Sequence, residues 1–292
     1  MVCADLHIHT NASDGSMDPA AILEQAKQMG LKALSFTDHE SIAAYHQVKD
    51  YAHKLDLHLL PGIEMVASYK GQEIHLLGYN FNPYSKILTD KLHKICQERN
   101  AVARESIRLL QKFNFNISWE QAENLIPPGG VLGKNHILQL MRQAGYIQNR
   151  QETIAFLRQY LNAGGLVYIP YEGNPLAEAV TLIHAANGIA VLAHPGLIKD
   201  QNLIEAMLAE GIDGLEVFYY YLGDKRRDYI RYFYRLAKKN KLLITGGSDF
   251  HGIYPPVRIG AMGLSSSYMD KLIKYSNRRQ QLSHFKEVSS LT

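Results

Sequence analysis

VCADLHIHTNASDGSMDPAAILEQAKQMGLKALSFTDH, residues 2–39, opens the chain with a short apolar run from Val2 to Ile8, an amphipathic stretch from Pro19 to Met29 and a second apolar run from Leu31 to Phe36. That order is a β-α-β rhythm. Asp18 before Pro19 predicts an N-cap followed by proline at the first helical position, and Gly30 supplies the left-handed residue that ends the helix. The rhythm continues with a helix over Ser41 to Lys54, then strands over Leu57 to Met65 and Glu73 to Tyr79 joined by a turn at Gly71-Gln72.

After Asn82-Pro83 the pattern changes to helices: Ser85 to Phe113, Ser118 to Leu125 with Ser118 and Gln121 as a capping box, Gly133 to Ala144, and Glu152 to Asn162. From Leu166 the alternation returns. Helices are expected over Leu176 to Ala186, Gln201 to Ala209 and Asp224 to Lys239, and strands over Ile189 to Ala193, Leu215 to Tyr219 and Leu242 to Thr245, with Gly246-Gly247 as a loop. About seven strands around one insertion predict an α/β barrel of βα units. Residues 1–83 and 166–292 would form the barrel, and 84–165 an inserted helical cap subdomain.

Composition narrows the function classes. The 31 Lys and Arg against 28 Asp and Glu leave a net charge of +3, too little to attract a polyanion at long range, so any phosphate recognition must be local. Only two cysteines, Cys3 and Cys96, exclude a disulfide framework and a cysteine-rich zinc site, which fits a reducing compartment and makes the cytoplasm the expectation. Polar residues break the N-terminal apolar run and no run of about 18 apolar residues follows, so neither secretion nor a membrane span is expected. The 13 histidines are roughly twice what a chain of this length carries at about 2%.

Their positions are informative. His7 and His9 alternate with apolar residues on one strand and therefore point the same way. Asp14 follows that strand, His39 follows the second, Glu64 lies on the third and His75 on the fourth, while His194 ends a later strand and Asp249 and His251 follow the last. Nine imidazoles and carboxylates thus gather where strands become loops, the face on which barrels build their sites. Glu64 is the most telling, because a carboxylate inside an apolar strand needs a partner. His46, His53, His58, His93, His184 and His284 fall on helical or surface-like segments and are set aside, and Asp38 is taken as either a support for His39 or a helix cap.

Asp5-Leu6-His7-Ile8-His9-Thr10, Thr37-Asp38-His39, Glu64, His75, Ala193-His194-Pro195 and Gly247-Ser248-Asp249-Phe250-His251-Gly252 together resemble the motifs of the PHP (polymerase and histidinol phosphatase) superfamily. The helical insertion and the segment Ile189 to Pro195 further resemble the subfamily of 3',5'-nucleoside bisphosphate phosphatases and 5'-to-3' exoribonucleases. The resemblance implies a distorted (β/α)7 barrel holding three divalent ions. By position His7, His9, Glu64 and Asp249 would hold the first, Glu64, His75 and His194 the second, and Asp14, His39 and His251 the third. Three such ions against three carboxylates leave a site of about +3, suited to a phosphate monoester and a hydroxide attacking phosphorus in line, with Glu64 and Asp249 as the ligands that matter most for generating it. A nitrogen and oxygen donor set without sulfur favours Mn(II), with Fe(II) or Zn(II) as alternatives.

The resemblance also points to Lys134, Asn135 and His136 at the start of a cap helix as substrate contacts. Lys134 stands where the subfamily is expected to carry arginine, which would forgo two-pronged phosphate recognition. The run Phe218 to Tyr221 is a candidate base-stacking surface, though packing in the barrel wall accounts for it as well. The expected substrate is a 3',5'-nucleoside bisphosphate, losing its 3'-phosphate, or the 5' end of a short RNA. Neither a DNA partner nor a membrane is implied, and oligomeric state is left open. The alternatives are a phosphatase for histidinol phosphate or another small monoester, and an inert PHP scaffold, which ought to lack ligands that are all present here.

Overall fold

The computed structural model describes residues 2–252 and 257–289. Its elements run β1 (Ala4–Ile8), α1 (Pro19–Gln28), β2 (Ala33–Phe36), α2 (Ala43–Lys54), β3 (His58–Leu60), β4 (Gly62–Tyr69), β5 (Gln72–Tyr79), α3 (Lys86–Lys112), α4 (Trp119–Glu123), α5 (Lys134–Gln143), α6 (Arg150–Phe156), α7 (Leu176–Ala185), β6 (Ile189–Leu192), α8 (Ile204–Leu208), β7 (Gly214–Tyr219), α9 (Arg226–Lys239), β8 (Leu243–Gly247) and α10 (Ser266–Ser289). The α1 start is built as its sequence dictates: Asp18 accepts from Ala20 N, Pro19 takes the first helical position, and Gly30 sits at φ 78°. None of the described helices is long and apolar enough to cross a membrane.

Two sheets, β1-β2-β3 and β4-β5-β6-β7-β8, close on each other into a distorted barrel. On one side Asp249 N donates to His7 O at 2.8 Å and His9 N to Phe250 O at 2.8 Å; on the other Glu40 N donates to Glu64 O at 3.0 Å. The strand expected over Leu57 to Met65 is two, β3 and β4, parted at Pro61, where the missing amide hydrogen interrupts the ladder. β3 extends β2's sheet and β4 carries the chain onward, so the wall keeps the expected seven staves.

Three features depart from simple βα repetition. β4 and β5 form an antiparallel hairpin whose turn is Lys70-Gly71, at φ 49° and 74°, one residue earlier than expected. β5 is also antiparallel to β6. Gly246 and Gly247, expected in a loop, are the last residues of β8. A Cβ on Gly247 would lie 2.3 Å from His7 N, so glycine here lets β8 press against β1 rather than turn away. α10 has no counterpart in the expected pattern.

The long insertion between β5 and β6 leaves from the floor of the barrel, because Tyr79 pairs with Ile189, the first residue of β6, whereas the site lies past the carboxyl end of β6. α3 carries the chain back up. Its Leu88, Leu92 and Ile95 pack into the main barrel core, and its Ala103, Ile107 and Leu110 join a separate apolar cluster with Ile137, Leu138, Met141 and Phe156. The last expected helix of this region is α6 followed by one π-helical turn, Leu157–Leu161.

Asp213, at the turn into β7, fastens α7 and α10 to the sheet. It accepts from Ala190 N at 2.9 Å, Tyr275 Oη at 2.6 Å and Arg279 Nη1 at 3.0 Å, and His184 Nε2 lies 2.8 Å away. Burial opposes its charge, but the hydrogen bonds from His184 and Tyr275 outweigh this and lower its pKa below 3.8. Asp213→Asn is expected to cost about 2 kcal/mol at pH 7. Since the folded pKa is depressed, that contribution is present above the unfolded carboxylate value and is lost as pH falls through the folded one. Urea melts at pH 7 and pH 3 check this; equal stability of variant and parent at pH 7 would rule it out.

Candidate metal centre

β1 carries His7, and His9 follows its last residue, both facing into the barrel and fully buried. Glu64, the third residue of β4, pairs with His39 past the carboxyl end of β2 and has its carboxylate among five imidazoles. Its Oε1 lies 2.8 Å from His75 Nδ1, 3.1 Å from His194 Nε2 and 3.4 Å from His7 Nε2; its Oε2 lies 3.1 Å from His9 Nε2 and 3.4 Å from His39 Nδ1. Asp249 Oδ1 is 3.2 Å from His7 and 3.3 Å from His9, and Asp14 Oδ1 is 3.4 Å from His251. His194 and Asp249 both adopt positive φ, 25° and 55°, a strained choice for residues with side chains that cluster at functional sites.

The structure therefore brings all nine residues into one cage. Their donor atoms fall within 4.8 Å of one another in four overlapping groups: His9, Asp14, His39 and His251; His7, His9 and Asp249; His7, Glu64 and His194; and His39, Glu64 and His75. These groups cut across the partition implied by resemblance, since His9 joins Asp14 and His251, and His39 joins Glu64 and His75. His7 Nε2, both ring nitrogens of His9, Asp14 Oδ1, His39 Nδ1 and Asp249 Oδ1 are buried without a hydrogen-bond partner. Such atoms are costly in a protein interior unless something else satisfies them, so the donor set fits divalent cations. Burial opposes ionisation of Glu64, yet the positive charge of His75 and His7 holds its pKa well below the usual carboxylate value. Burial drives the His39 pKa well down, leaving a neutral imidazole with a free lone pair.

Supporting residues surround the cage, and one of them, Glu216, escaped sequence reasoning. Glu216 on β7 is fully buried; its Oε1 lies 2.9 Å from His7 Nδ1 and its Oε2 accepts from His194 N at 2.7 Å. It thereby fixes the face that His7 turns to the cage. Asp5 accepts from Ser248 N at 2.9 Å and Gly260 N at 2.7 Å, and burial raises its pKa to about 6. Asp38 neither touches the His39 ring nor caps a helix with its side chain. It accepts from Thr10 N and Thr10 Oγ1 at 2.7 and 2.8 Å and from Ser13 Oγ, shaping the loop that presents Asp14. Glu216→Gln is expected to weaken metal retention or turnover 10- to 100-fold by freeing His7; a manganese titration of activity that superimposes on the parent's would remove that role.

The three expected substrate contacts are placed unequally. Lys134 Nζ faces the cavity and donates to Glu73 Oε1 at 2.8 Å. Asn135 Nδ2 donates to Asp14 Oδ2 at 3.0 Å. His136 is buried, with Nδ1 accepting from Gly133 N at 3.0 Å and Nε2 lying 3.0 Å from Ser13 O, so both nitrogens are spent on structure. Of the tyrosine run, Tyr219 Oη donates to Asp249 Oδ2 at 2.9 Å and Tyr221 Oη accepts from Gly196 N at 3.0 Å, both in the wall, while Tyr220 reaches the rim. The cage opens into a cavity of about 460 Å³ bordered by Lys134, Arg150, Tyr220 and Leu222. Among the histidines set aside, His184 is committed to Asp213, and the side chain of His284 lies outside the described residues.

Comparison with known proteins agrees with this arrangement. The chain is 28% identical over 266 residues to the 5'-3' exoribonuclease Rnm of Escherichia coli, covering 89% of this chain and 88% of the other. It is 28% identical to a phosphoribosyl 1,2-cyclic phosphate 1,2-diphosphodiesterase of Eggerthella lenta (85% and 94% covered) and 26% identical to a 3',5'-nucleoside bisphosphate phosphatase of Chromobacterium violaceum (86% and 88% covered). The fold matches the crystal structure of a putative metal-dependent phosphoesterase from Bifidobacterium adolescentis with a TM-score of 0.82 at 24% identity, over 92% of this chain and 95% of that one. The PHP domain model matches residues 5–167, from the first strand through the helical insertion, and with the caged histidines and carboxylates in place the chain belongs to the PHP domain family of metal-dependent phosphoesterases.

Proposed function

We propose that this phosphoesterase hydrolyses phosphate monoesters of nucleotides, removing the 3'-phosphate of 3',5'-nucleoside bisphosphates or acting at the 5' ends of short RNA. The observation that carries this reading is a single cavity with the cage as its floor, the Lys134 and Arg150 cations on its wall and Tyr220 and Leu222 on its rim, which offers places for a second phosphate and for a nucleoside. Relatives named for exoribonuclease and bisphosphate phosphatase activity support it.

The nine caged residues would hold three divalent ions, manganese favoured over iron(II) or zinc, with the partition among them set by the overlapping groups. Bound there, such ions neutralise phosphate charge and lower the pKa of a water to that of a usable nucleophile. The chain's own part is positional. Glu216 orients His7, Tyr219 orients Asp249, and Asn135 with His136 holds the Ser13-Asp14 loop against α5. Lys134 would exchange Glu73 for a substrate phosphate.

Adenosine 3',5'-bisphosphate, a 5'-phosphorylated oligoribonucleotide and histidinol phosphate, presented in turn to the manganese-loaded protein, test the reading. One of the first two is expected to exceed histidinol phosphate in kcat/KM by at least about tenfold. A preference for histidinol phosphate would overturn the substrate class, and absence of any turnover with manganese would favour the scaffold alternative.

A further inference from the structure

The overall charge of +3 conceals a strong local asymmetry. Residues 225–241 carry eight Lys and Arg and one acid, Asp228, so the remainder of the chain is net acidic. α9 occupies most of this segment, and its cations are not scattered around it. Arg227, Arg231, Arg235 and Lys238 follow at i, i+4, i+8 and i+11, all exposed, and so form one stripe about 16 Å long at 1.5 Å per residue. Arg231 has Asp228 at 3.8 Å, a weak exposed contact, while Arg227 and Arg235 have no acidic partner among the described residues.

Aromatic rings accompany the cations. Tyr232, beside Arg231, is 51% exposed. Arg226 lies over Tyr220 at 3.8 Å, Lys238 over Tyr234 at 5.8 Å, and Lys271 of the neighbouring α10 over Tyr268 at 5.3 Å. The stripe also has a defined origin. β7 ends at Tyr219, which touches Asp249, the following residues Tyr220 and Leu222 border the metal cavity, and α9 leads away from that rim down the outer wall.

Cations spaced along a line with interleaved aromatic rings are the chemistry of single-stranded nucleic acid binding, in which the backbone follows the charges and bases stack on the rings. A lipid surface is a poorer match, since a membrane-binding helix needs a free apolar face and that of α9, Phe233, Leu236 and Ala237, is buried in the barrel. We propose that the exposed face of α9 is a track for the single-stranded RNA downstream of a 5' end held in the metal cavity. Its length matches about five stacked nucleotides at roughly 3.4 Å each. The proposal rests on the nucleotide-phosphatase reading of the cavity and names the part of the substrate that the cavity does not hold.

The test pairs a binding measurement with a kinetic one. Fluorescence anisotropy follows the full-length protein binding a 5'-phosphorylated 12-nucleotide RNA with phosphorothioate linkages, across a salt series, for the parent, for R227Q/R231Q/R235Q and for R227K/R231K/R235K. The glutamine variant is expected to lose about 2 from the slope of log affinity against log salt and on the order of tenfold to a hundredfold in affinity at 0.1 M salt, and the lysine variant to keep both. Hydrolysis of adenosine 3',5'-bisphosphate, which is too short to reach the stripe, should be equal in all three. An unchanged slope and affinity in the glutamine variant would overturn the track, as would an equal loss of bisphosphate turnover, which would mark a structural role for the arginines. If no nucleotide is hydrolysed by the parent, the cavity reading fails, and the salt slope still decides whether α9 binds RNA.

Discussion

Glu64→Gln is expected to reduce turnover by about a thousandfold or more and to lower the metal content of the purified protein. The carboxylate has five imidazole nitrogens at 2.8 to 3.4 Å, more than either Asp14 or Asp249 meets. The amide keeps the shape but removes the negative charge and one of the two acceptor oxygens. Losing several kcal/mol of charge stabilisation at phosphorus corresponds to a rate loss of this order. Elemental analysis and kcat with saturating manganese check the two consequences together. Wild-type turnover in the variant would remove Glu64 from the metal centre.

The second large effect is on stability. Arg99, in α3, forms an ion pair with Glu40 in the loop after β2, and Glu40 also accepts from Val66 N at 2.6 Å. The Glu40 side chain is fully buried and that of Arg99 nearly so. Burial works against the Arg99 charge, but the carboxylate outweighs it and raises the guanidinium pKa. Arg99→Ala is therefore expected to destabilise the protein by about 3–5 kcal/mol, because it strands a buried carboxylate. Arg99→Met combined with Glu40→Gln should recover a large part of the loss, since the charge is removed along with its partner. Chemical denaturation of the parent, Arg99→Met, Glu40→Gln and the double variant gives the coupling directly. A cost below about 1 kcal/mol for Arg99→Ala would show that α3 is held by its apolar contacts alone.

The cage was legible from sequence because its residues interrupt apolar strands or follow them directly, where a solvated explanation is weakest. Glu216 met the same criterion as Glu64, a carboxylate in the apolar run Leu215-Glu216-Val217-Phe218, and was passed over although the rule that identified Glu64 applies to it unchanged. Arg99 offered no such signal: among the charges of α3 it resembles any solvated side chain, and its partner lies 59 positions away. The antiparallel setting of β5 was hidden too, because side-chain alternation has the same period in either strand direction. Gly246-Gly247 was misread for the opposite reason. Its composition favours a turn, and the close approach of β8 to β1 overrode it. The sequence offers His136 as a substrate contact, but both of its nitrogens are engaged with backbone.

α3 begins at the floor and reaches the level of the cage about halfway along its 27 residues, so it works as a ruler as well as a support. Deleting one residue between Ile95 and Arg99 would shorten it by about 1.5 Å and turn everything beyond by about 100°. Arg99 would swing off Glu40, and Asn100, whose Oδ1 accepts from Leu132 N at 2.9 Å just ahead of α5, would rotate away from it. The distance between the cage and the Lys134 wall, and with it the size of molecule that fits, is thus written in a count of turns of α3, whose Arg99 lines the same cavity.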